Sequence, residues 1–369
     1  AASQTVTTTR ISGTTSTVVN YQEFSNRSFD VSHNVLNQKI TTYTTSNGTF
    51  LDCQESRSSN FTSSGVAQNQ VIVTYTDTSR SNILDVKVIT NSGISAGGNI
   101  TTSVIIRYST ATVADDTLLS PDTKDGVITP TGNPIDKQTI NNTSFDKRGN
   151  ALSQDIVREF YNGTSFAFSE HQVISANTYD VYDQLTYSVI KNYSDSSVSS
   201  FRDMQVVTYS NYDVFGNALN QNINSYNSQI VSLSNLIDSK VIVNTYANAA
   251  AARRGNATSS TVSRYNTDAA ASQDNTTLLD KTVTTTSSFD STGNPLAQQQ
   301  LLYVTDASNN VILTTQRDIT YSGYNNRGDA ASQTVTTTRI SGTTSTVVNY
   351  QEFSNRSFDV SHNVLNQKI

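Results

Sequence analysis

The chain has 369 residues, a net charge of −6 and a pI near 5.0, a balance without the basic footprint of a nucleic-acid-binding protein. Its single cysteine, Cys53, excludes a disulfide framework or a thiolate metal cluster, and no apolar run reaches the roughly 20 residues that a helical membrane span needs. With 35% hydrophobic residues, 18 tyrosines, no tryptophan and only 15% charged residues in a background rich in Ser, Thr and Asn, the composition favours strands over helices and over disorder.

Repeats override any domain count read from length. Residues 330–369 copy residues 1–40 without a single change, which sets a period of 329 residues. We read 1–329 as one full tandem repeat and 330–369 as the start of the next, in a window on a longer array; the other reading of the copy is an engineered overlap.

A shorter repeat runs inside the period. An aromatic residue is followed by Asp or Asn, two free positions, Gly and Asn. It is seen at Phe29, Phe145, Tyr179, Tyr212, Phe289 and Tyr324, with glycines such as Gly216, Gly293 and Gly328 and asparagines such as Asn217 and Asn294. Asp can bond its own backbone two residues on, and Gly takes the positive φ that closes a tight turn. Counting the last turn residue as zero, nine units end at Asn34, Val66, Asn99, Asn150, Gln184, Asn217, Asn256, Asn294 and Asp329.

Each unit then offers an outgoing strand with a polar column at position four (among others Gln38, Gln154, Gln221 and Gln298). An Ile or Val column follows at position six, from Val6 to Val262, and a Tyr column at position nine, from Tyr43 to Tyr303. The odd offset of the Tyr column means that it faces the other side of the sheet or that a bulge intervenes. A loop rich in Gly, Ser, Asn and Asp leads into a return strand, which carries an acidic column (Asp52, Asp85, Asp136, Glu170, Asp203, Asp280). The expected fold is all-β: a continuous antiparallel β-hairpin repeat array. Stacked columns should form Gln, Ile and Tyr ladders with Ile in the core. Helix is expected at most around 247–254 or 115–125. The unit ending at Asn150 is long, and its GNP at Gly132–Asn133 reads as a second turn within an inserted lobe.

The repeated aromatic-Asp-x-x-Gly-Asn turn followed by a strand ending in Tyr resembles the YD-repeat, or rearrangement-hotspot (RHS), family. That resemblance implies an antiparallel ribbon wound into a spiral or shell on large secreted proteins. The units here are longer than that family's, and neither its shell-closing core motif nor a C-terminal toxin is visible.

Catalytic chemistry finds little support. His33 replaces a turn glycine, His171 sits alone in a return strand, and Cys53 reads as a small buried residue. The acidic column repeats in one strand position, so it does not converge on a cleft as paired catalytic carboxylates would. Asp115, Asp116, Asp122 and Asp125 offer oxygen ligands for Ca²⁺, or else form a solvated acidic loop. Arg327-Gly328-Asp329 reads as a turn variant. No cofactor is expected. The sequence points to a non-catalytic structural subunit of an extracellular or cell-surface filament or stalk, whose partners are further identical repeats and possible surface or matrix polysaccharide. The alternatives are an adhesin that presents the 99–150 lobe, and the wall of a shell around a toxin.

Overall fold

The structure is a computed structural model that describes residues 1–12, 14–116, 123–268, 273–325, 328–358 and 364–369. It divides into two compact units, Ala1–Ser169 and Glu170–Ile369. The division does not coincide with the repeat boundary at 329. In the first unit β1 (Ser3–Ser12), β2 (Thr15–Phe29), β3 (Val35–Tyr43), β4 (Phe50–Phe61), β5 (Ala67–Tyr75), β6 (Ile83–Ile94), β7 (Ile100–Val113), β8 (Ile128–Phe145) and β9 (Ala151–Tyr161) pair with their sequence neighbours, always antiparallel.

The second unit repeats the pattern. It runs through β10 (Phe166–Tyr179), whose first residues precede the boundary, β11 (Leu185–Tyr193), β12 (Phe201–Tyr212), β13 (Ala218–Tyr226) and β14 (Leu236–Thr245). After helix α1 (Ala249–Arg254) come β15 (Ser259–Tyr265), β16 (Leu278–Phe289), β17 (Pro295–Thr305), β18 (Val311–Tyr324), β19 (Ala330–Ser341), β20 (Thr344–Phe358) and β21 (Val364–Lys368). The chain is an all-β, antiparallel hairpin repeat array. Helix α1 falls where the AAAARR insertion stands. Asn248 caps it by accepting from the Ala251 N–H at 2.9 Å, and Gly255 ends it at φ 72°. A 3-10 turn at Leu233–Asn235 was not expected.

The Tyr column has a definite place. The outgoing strand stays in register from position four to position nine, so Tyr faces away from the Gln and Ile columns. A bulge is present as well, but on the return strand. Thr42 pairs with Asp52 and Tyr43 with Phe50, leaving Leu51 extra; Ser225 pairs with Asp238 and Tyr226 with Leu236, leaving Ile237 extra. The same step occurs opposite Tyr75, Tyr108, Tyr193, Tyr265 and Tyr303. Asp52, Asp85, Asp136, Asp203 and Asp280 of the acidic column each directly follow the bulged residue. Asp238 belongs to this column too; β14 lacks the one-residue irregularity that other return strands carry before their closing aromatic, as at Asn60 and Asn211, so Asp238 stands one position nearer Tyr246 and escapes the count.

The buried core of the first unit lies on the Tyr face. Cys53, Val73, Tyr75, Val86 and Ile128 cluster there, with Ala111 and Val113 packed against them. This corrects the expected Ile core: Ile40, Ile72, Ile105 and Ile190 are half-buried, and Ile156, at 7% exposure, is the column's buried member. The cover on the Tyr face is the long hairpin β7–β8, whose pairing continues past Tyr108 to Val113↔Ile128. Gly132–Asn133 therefore makes no second turn. It lies inside β8, where Thr131 pairs with Thr110 and Pro134 with Tyr108, so the positive φ of Gly132 (73°) serves a bulge instead.

The two identical 40-residue copies adopt the same register. Gln4↔Phe24 becomes Gln333↔Phe353, and the irregularity at Thr8/Thr9 recurs at Thr337/Thr338. Their burial differs because their neighbours differ. Ala1 is exposed, whereas Ala330, beside β18, is 6% exposed; Asn20 is 9% exposed beside β3, whereas Asn349 is exposed.

Candidate functional site

The repeat motif builds a uniform turn. Asp30 Oδ1 accepts the N–H groups of Ser32 and Asn34 at 2.9 and 2.8 Å, while its Oδ2 accepts the Asn34 side chain at 2.8 Å. Asp146–Asn150, Asp213–Asn217 and Asp290–Asn294 repeat these bonds. At Gly328–Asp329 the roles reverse, and Asn325 accepts the Asp329 N–H at 3.1 Å. The bond from Asn34 holds the Asp30 carboxyl below the usual range, as that from Asn150 does for Asp146.

The turns also stack. A methyl on Gly293 would lie 2.8 Å from the Asn256 side chain, and one on Gly328 would lie 3.2 Å from Asn294, so position zero of one turn seats the glycine of the next. Asn217 departs from this, donating instead to the Ala252 carbonyl of α1 at 2.6 Å.

Each opening aromatic ends a return strand. Phe29 is 37% exposed, and Phe145, Tyr179 and Phe289 are half-buried. The Tyr212 hydroxyl donates to the Leu185 carbonyl and that of Tyr324 to the Pro295 carbonyl at 2.5 Å. Burial pushes both hydroxyls up to about 12. Both acceptors are the first residue of an outgoing strand. In other units an Asn reaches the matching carbonyl: Asn26 donates to Ala1 at 2.8 Å, Asn91 to Ala67 at 3.0 Å and Asn142 to Ile100 at 2.8 Å.

The Gln and Tyr columns do not stack on themselves as expected. Gln38 donates to Asn26 at 2.7 Å, Gln154 to Asn142 at 2.8 Å, Gln70 to Ser58 at 3.2 Å and Gln298 to Thr286 at 3.1 Å; Gln221 pairs with Tyr209 in register. The reason is spacing. Successive outgoing strands have a return strand between them, so equivalent residues stand roughly 10 Å apart. Tyr43 accordingly meets Tyr21 and Phe50, with ring centroids 6.4 and 6.1 Å away.

The inserted lobe shows the densest charge chemistry. Glu55, at 0% exposure, receives Arg27 through two bonds of 2.7 and 3.0 Å, Arg80 at 2.6 Å and Arg57 at 3.1 Å. Arg27 is the bulged residue of β2, Arg57 lies in β4 and Arg80 in the β5–β6 loop. Three guanidinium groups on one carboxylate leave excess positive charge, and the lobe answers it with acid. Buried Asp125 accepts the Asp116 N–H at 2.6 Å, Asp115 accepts the Lys124 N–H at 2.6 Å, and the Asn37 side chain donates to the Asp125 carbonyl at 2.5 Å. Arg57 Nε donates to the Gly126 carbonyl at 2.7 Å and Lys124 Nζ to that of Arg80. The carboxylates proposed as Ca²⁺ ligands thus bond loop N–H groups in a loop docked on arginines; Asp122 lies outside the described residues. Among the described residues no group of three or more His, Cys, Asp or Glu is placed to hold a metal ion.

A cleft of about 380 Å³ opens beside the lobe, with Leu36, Val71 and Ile128 as apolar lining and Arg57, Asn69 and Gln70 as polar groups. His171, 3% exposed, has Nδ1 3.1 Å from the Ser196 carbonyl and its ring 6.1 Å from Tyr193. Burial raises the Cys53 thiol to about 11, so at neutral pH it carries little thiolate. His33 is an exposed turn residue at φ 66°, and Arg327 and His362 lie outside the described residues. The acidic column finds its partners across the strands: Arg107 with Asp136, Arg264 with Asp280, and Asn192 with Asp203 at 2.7 Å.

No family model matches the chain, and no curated protein does. Two solved structures align over 95% of it. One is a Photorhabdus luminescens Tc holotoxin pore, at 12% identity and a TM-score of 0.21; the other is TcdB2-TccC3 without its hypervariable C-terminal region, at 11% and 0.15. The chain spans 20% and 24% of those chains. Similarity that low carries no argument about this chain's role.

Proposed function

We propose that the chain is a structural, non-catalytic segment of an extracellular or cell-surface filament or stalk. The observation that carries this is the mutual dependence of neighbouring hairpins. Position-four glutamines and most turn glycines find their partner in the adjacent hairpin, so one hairpin alone is incomplete and order grows by addition. Such a design serves reach. Electron microscopy of chains carrying one and two 329-residue periods tests it. The ordered length should increase by a constant step per period; separate beads joined by flexible linkers would rule the reading out.

Two specific observations favour other readings. The cleft beside the lobe, with amides set against an apolar floor, suits a neutral polar ligand such as a surface polysaccharide, which would make the chain an adhesin. The aromatic-Asp-x-x-Gly-Asn turn suits the wall of an RHS-type shell. Saccharide binding abolished by Asn69→Ala would favour the first, and a closed hollow particle in images would favour the second.

A further inference from the structure

The outgoing strand after the turn at Asn150 breaks the column pattern at successive positions. Position eight is Thr42, Thr74, Asn192 or Ser225 in other units, position nine is tyrosine in most, and position ten is Thr44, Thr76, Ser194, Asn227 or Asn266. Here they are Arg158, Glu159 and Phe160. Strand β9 also runs on to Tyr161, whereas β3, β5, β11, β13 and β15 stop at their position-nine tyrosine, so Phe160 stays in the ladder opposite Asp136. Glu159 faces the Tyr side and pairs with Lys137 at 2.5 Å. Arg158 and Phe160 therefore face the other side.

On that side they line a cleft of about 370 Å³ together with Ile105, Arg107, Asp136 and Gln138. Arg107, Asp136 and Phe160 form one row across β7, β8 and β9, and Ile105, Gln138 and Arg158 form the next. Two arginines thus flank one acidic-column residue. Around Asp52 the flanking residues are Thr42 and Thr74, around Asp203 they are Asn192 and Ser225, and around Asp280 they are Arg264 and Leu302. Arg107 Nε donates to both Asp136 oxygens at 2.9 Å and its Nη2 to one of them, which fixes the guanidinium plane. Among the described residues Arg107 Nη1 has no partner, and the side chain is 43% exposed. Arg158 is exposed and Phe160 half-buried. The arginines offer planar donors to a carboxylate, Gln138 can both donate and accept, and Phe160 and Ile105 supply apolar surface.

We infer that this cleft binds an acidic sugar, with the sugar carboxylate on Arg107 and Arg158, its hydroxyls on Asp136 and Gln138, and the C–H face of its ring against Phe160. A bare phosphate would use the arginines but leave Gln138 and Phe160 idle, beside a carboxylate that repels it. The volume lies at the small end of ligand sites and suits a sugar unit of a chain. The site goes beyond the structural role proposed above and does not depend on it.

Calorimetric titration of the full chain with trigalacturonate, its methyl ester and inorganic phosphate tests the site. The acid should bind. The ester keeps the hydroxyls but loses the charge, and should bind at least about tenfold more weakly; Arg158→Ala should cost the acid a similar factor. Arg107→Lys keeps a charge against Asp136 but loses the planar fork, so it should also weaken binding. Arg264→Lys, at the matching ion pair outside the cleft, should leave binding unchanged. No heat at millimolar trigalacturonate, equal affinity for the ester, undiminished binding by Arg158→Ala, or tighter binding of inorganic phosphate would overturn the inference. A silent titration would leave the constant length step per period standing, and beads in images would leave the cleft standing.

Discussion

Glu55 shows how much a single side chain can hold. Three arginines from three separate segments converge on it, and the lobe loop leans on the same arginines. Removing one partner of a buried ion cluster leaves uncompensated charge at a cost of roughly 3–5 kcal/mol. Glu55→Ala should therefore lower the urea midpoint steeply and expose 123–127 to protease, whereas Lys191→Ala on the surface should change little. An equal midpoint for the two variants would refute the cluster's role. Ile156→Asp, at the buried member of its column, should likewise cost several kcal/mol and exceed Ile190→Asp, whose site is half-buried. Little of this was legible in sequence. The acidic loop was visible, but Arg27, Arg57 and Arg80 carry no motif, and Arg27 reaches Glu55 only because a bulge turns it.

At the scale of the hairpin, the turn chemistry was read well because it is local: Asp bonds, Gly bends and Asn closes within five residues. The stacking of turns was not readable, since position zero meets a glycine more than thirty residues away. That contact makes a differential prediction. Gly293 and Gly216 both sit at positive φ, 95° and 87°, where Ala is strained by about 1 kcal/mol or more. Only Gly293 also faces a side chain, since a methyl on Gly216 would meet nothing within 4 Å. Gly293→Ala should lower the melting temperature more than Gly216→Ala, and Asn256→Ala should recover part of the difference in a double-mutant cycle. The self-stacking Gln and Tyr ladders failed for a related reason. Columns written one above another in sequence are two strands apart in the sheet, and the return strand supplies the partner.

Across the whole molecule the turn carboxylates act as a set. Asn34 and Asn150 hold Asp30 and Asp146 low, and the Asn310 N–H does the same for Asp306. At Asp77 burial opposes ionisation, but bonds from Ser79, Ser81 and Asn82 outweigh it and hold the carboxyl at about 2. A depressed folded value stabilises the folded state above the unfolded value, near pH 4, and that contribution is lost as pH falls through the folded value. The thermal midpoint should be flat through mildly acid pH, then fall progressively from about pH 4 toward pH 2. A midpoint that rises on acidification would contradict the turn assignment. Fold class was legible at this scale because period-two columns recur nine times. The extended β7–β8 hairpin was legible only as extra length, and that it folds over the Tyr face depends on contacts between residues far apart in sequence.

The hairpins have one conserved end and one variable end. Outside the α1 insertion the Asp-x-x-Gly-Asn turns keep their length and bonding, and most of their glycines are seated against the turn beside them. Opposite them the connections range from the two residues 342–343 to the fourteen residues 114–127, and the strands on either side remain paired. For protein engineering, that distinction marks where grafts belong. Foreign peptides placed between outgoing and return strands, at 162–165 or 306–310, would be displayed at regular intervals on an undisturbed scaffold. The same peptide spliced into an Asp turn would upset its neighbours as well as its host.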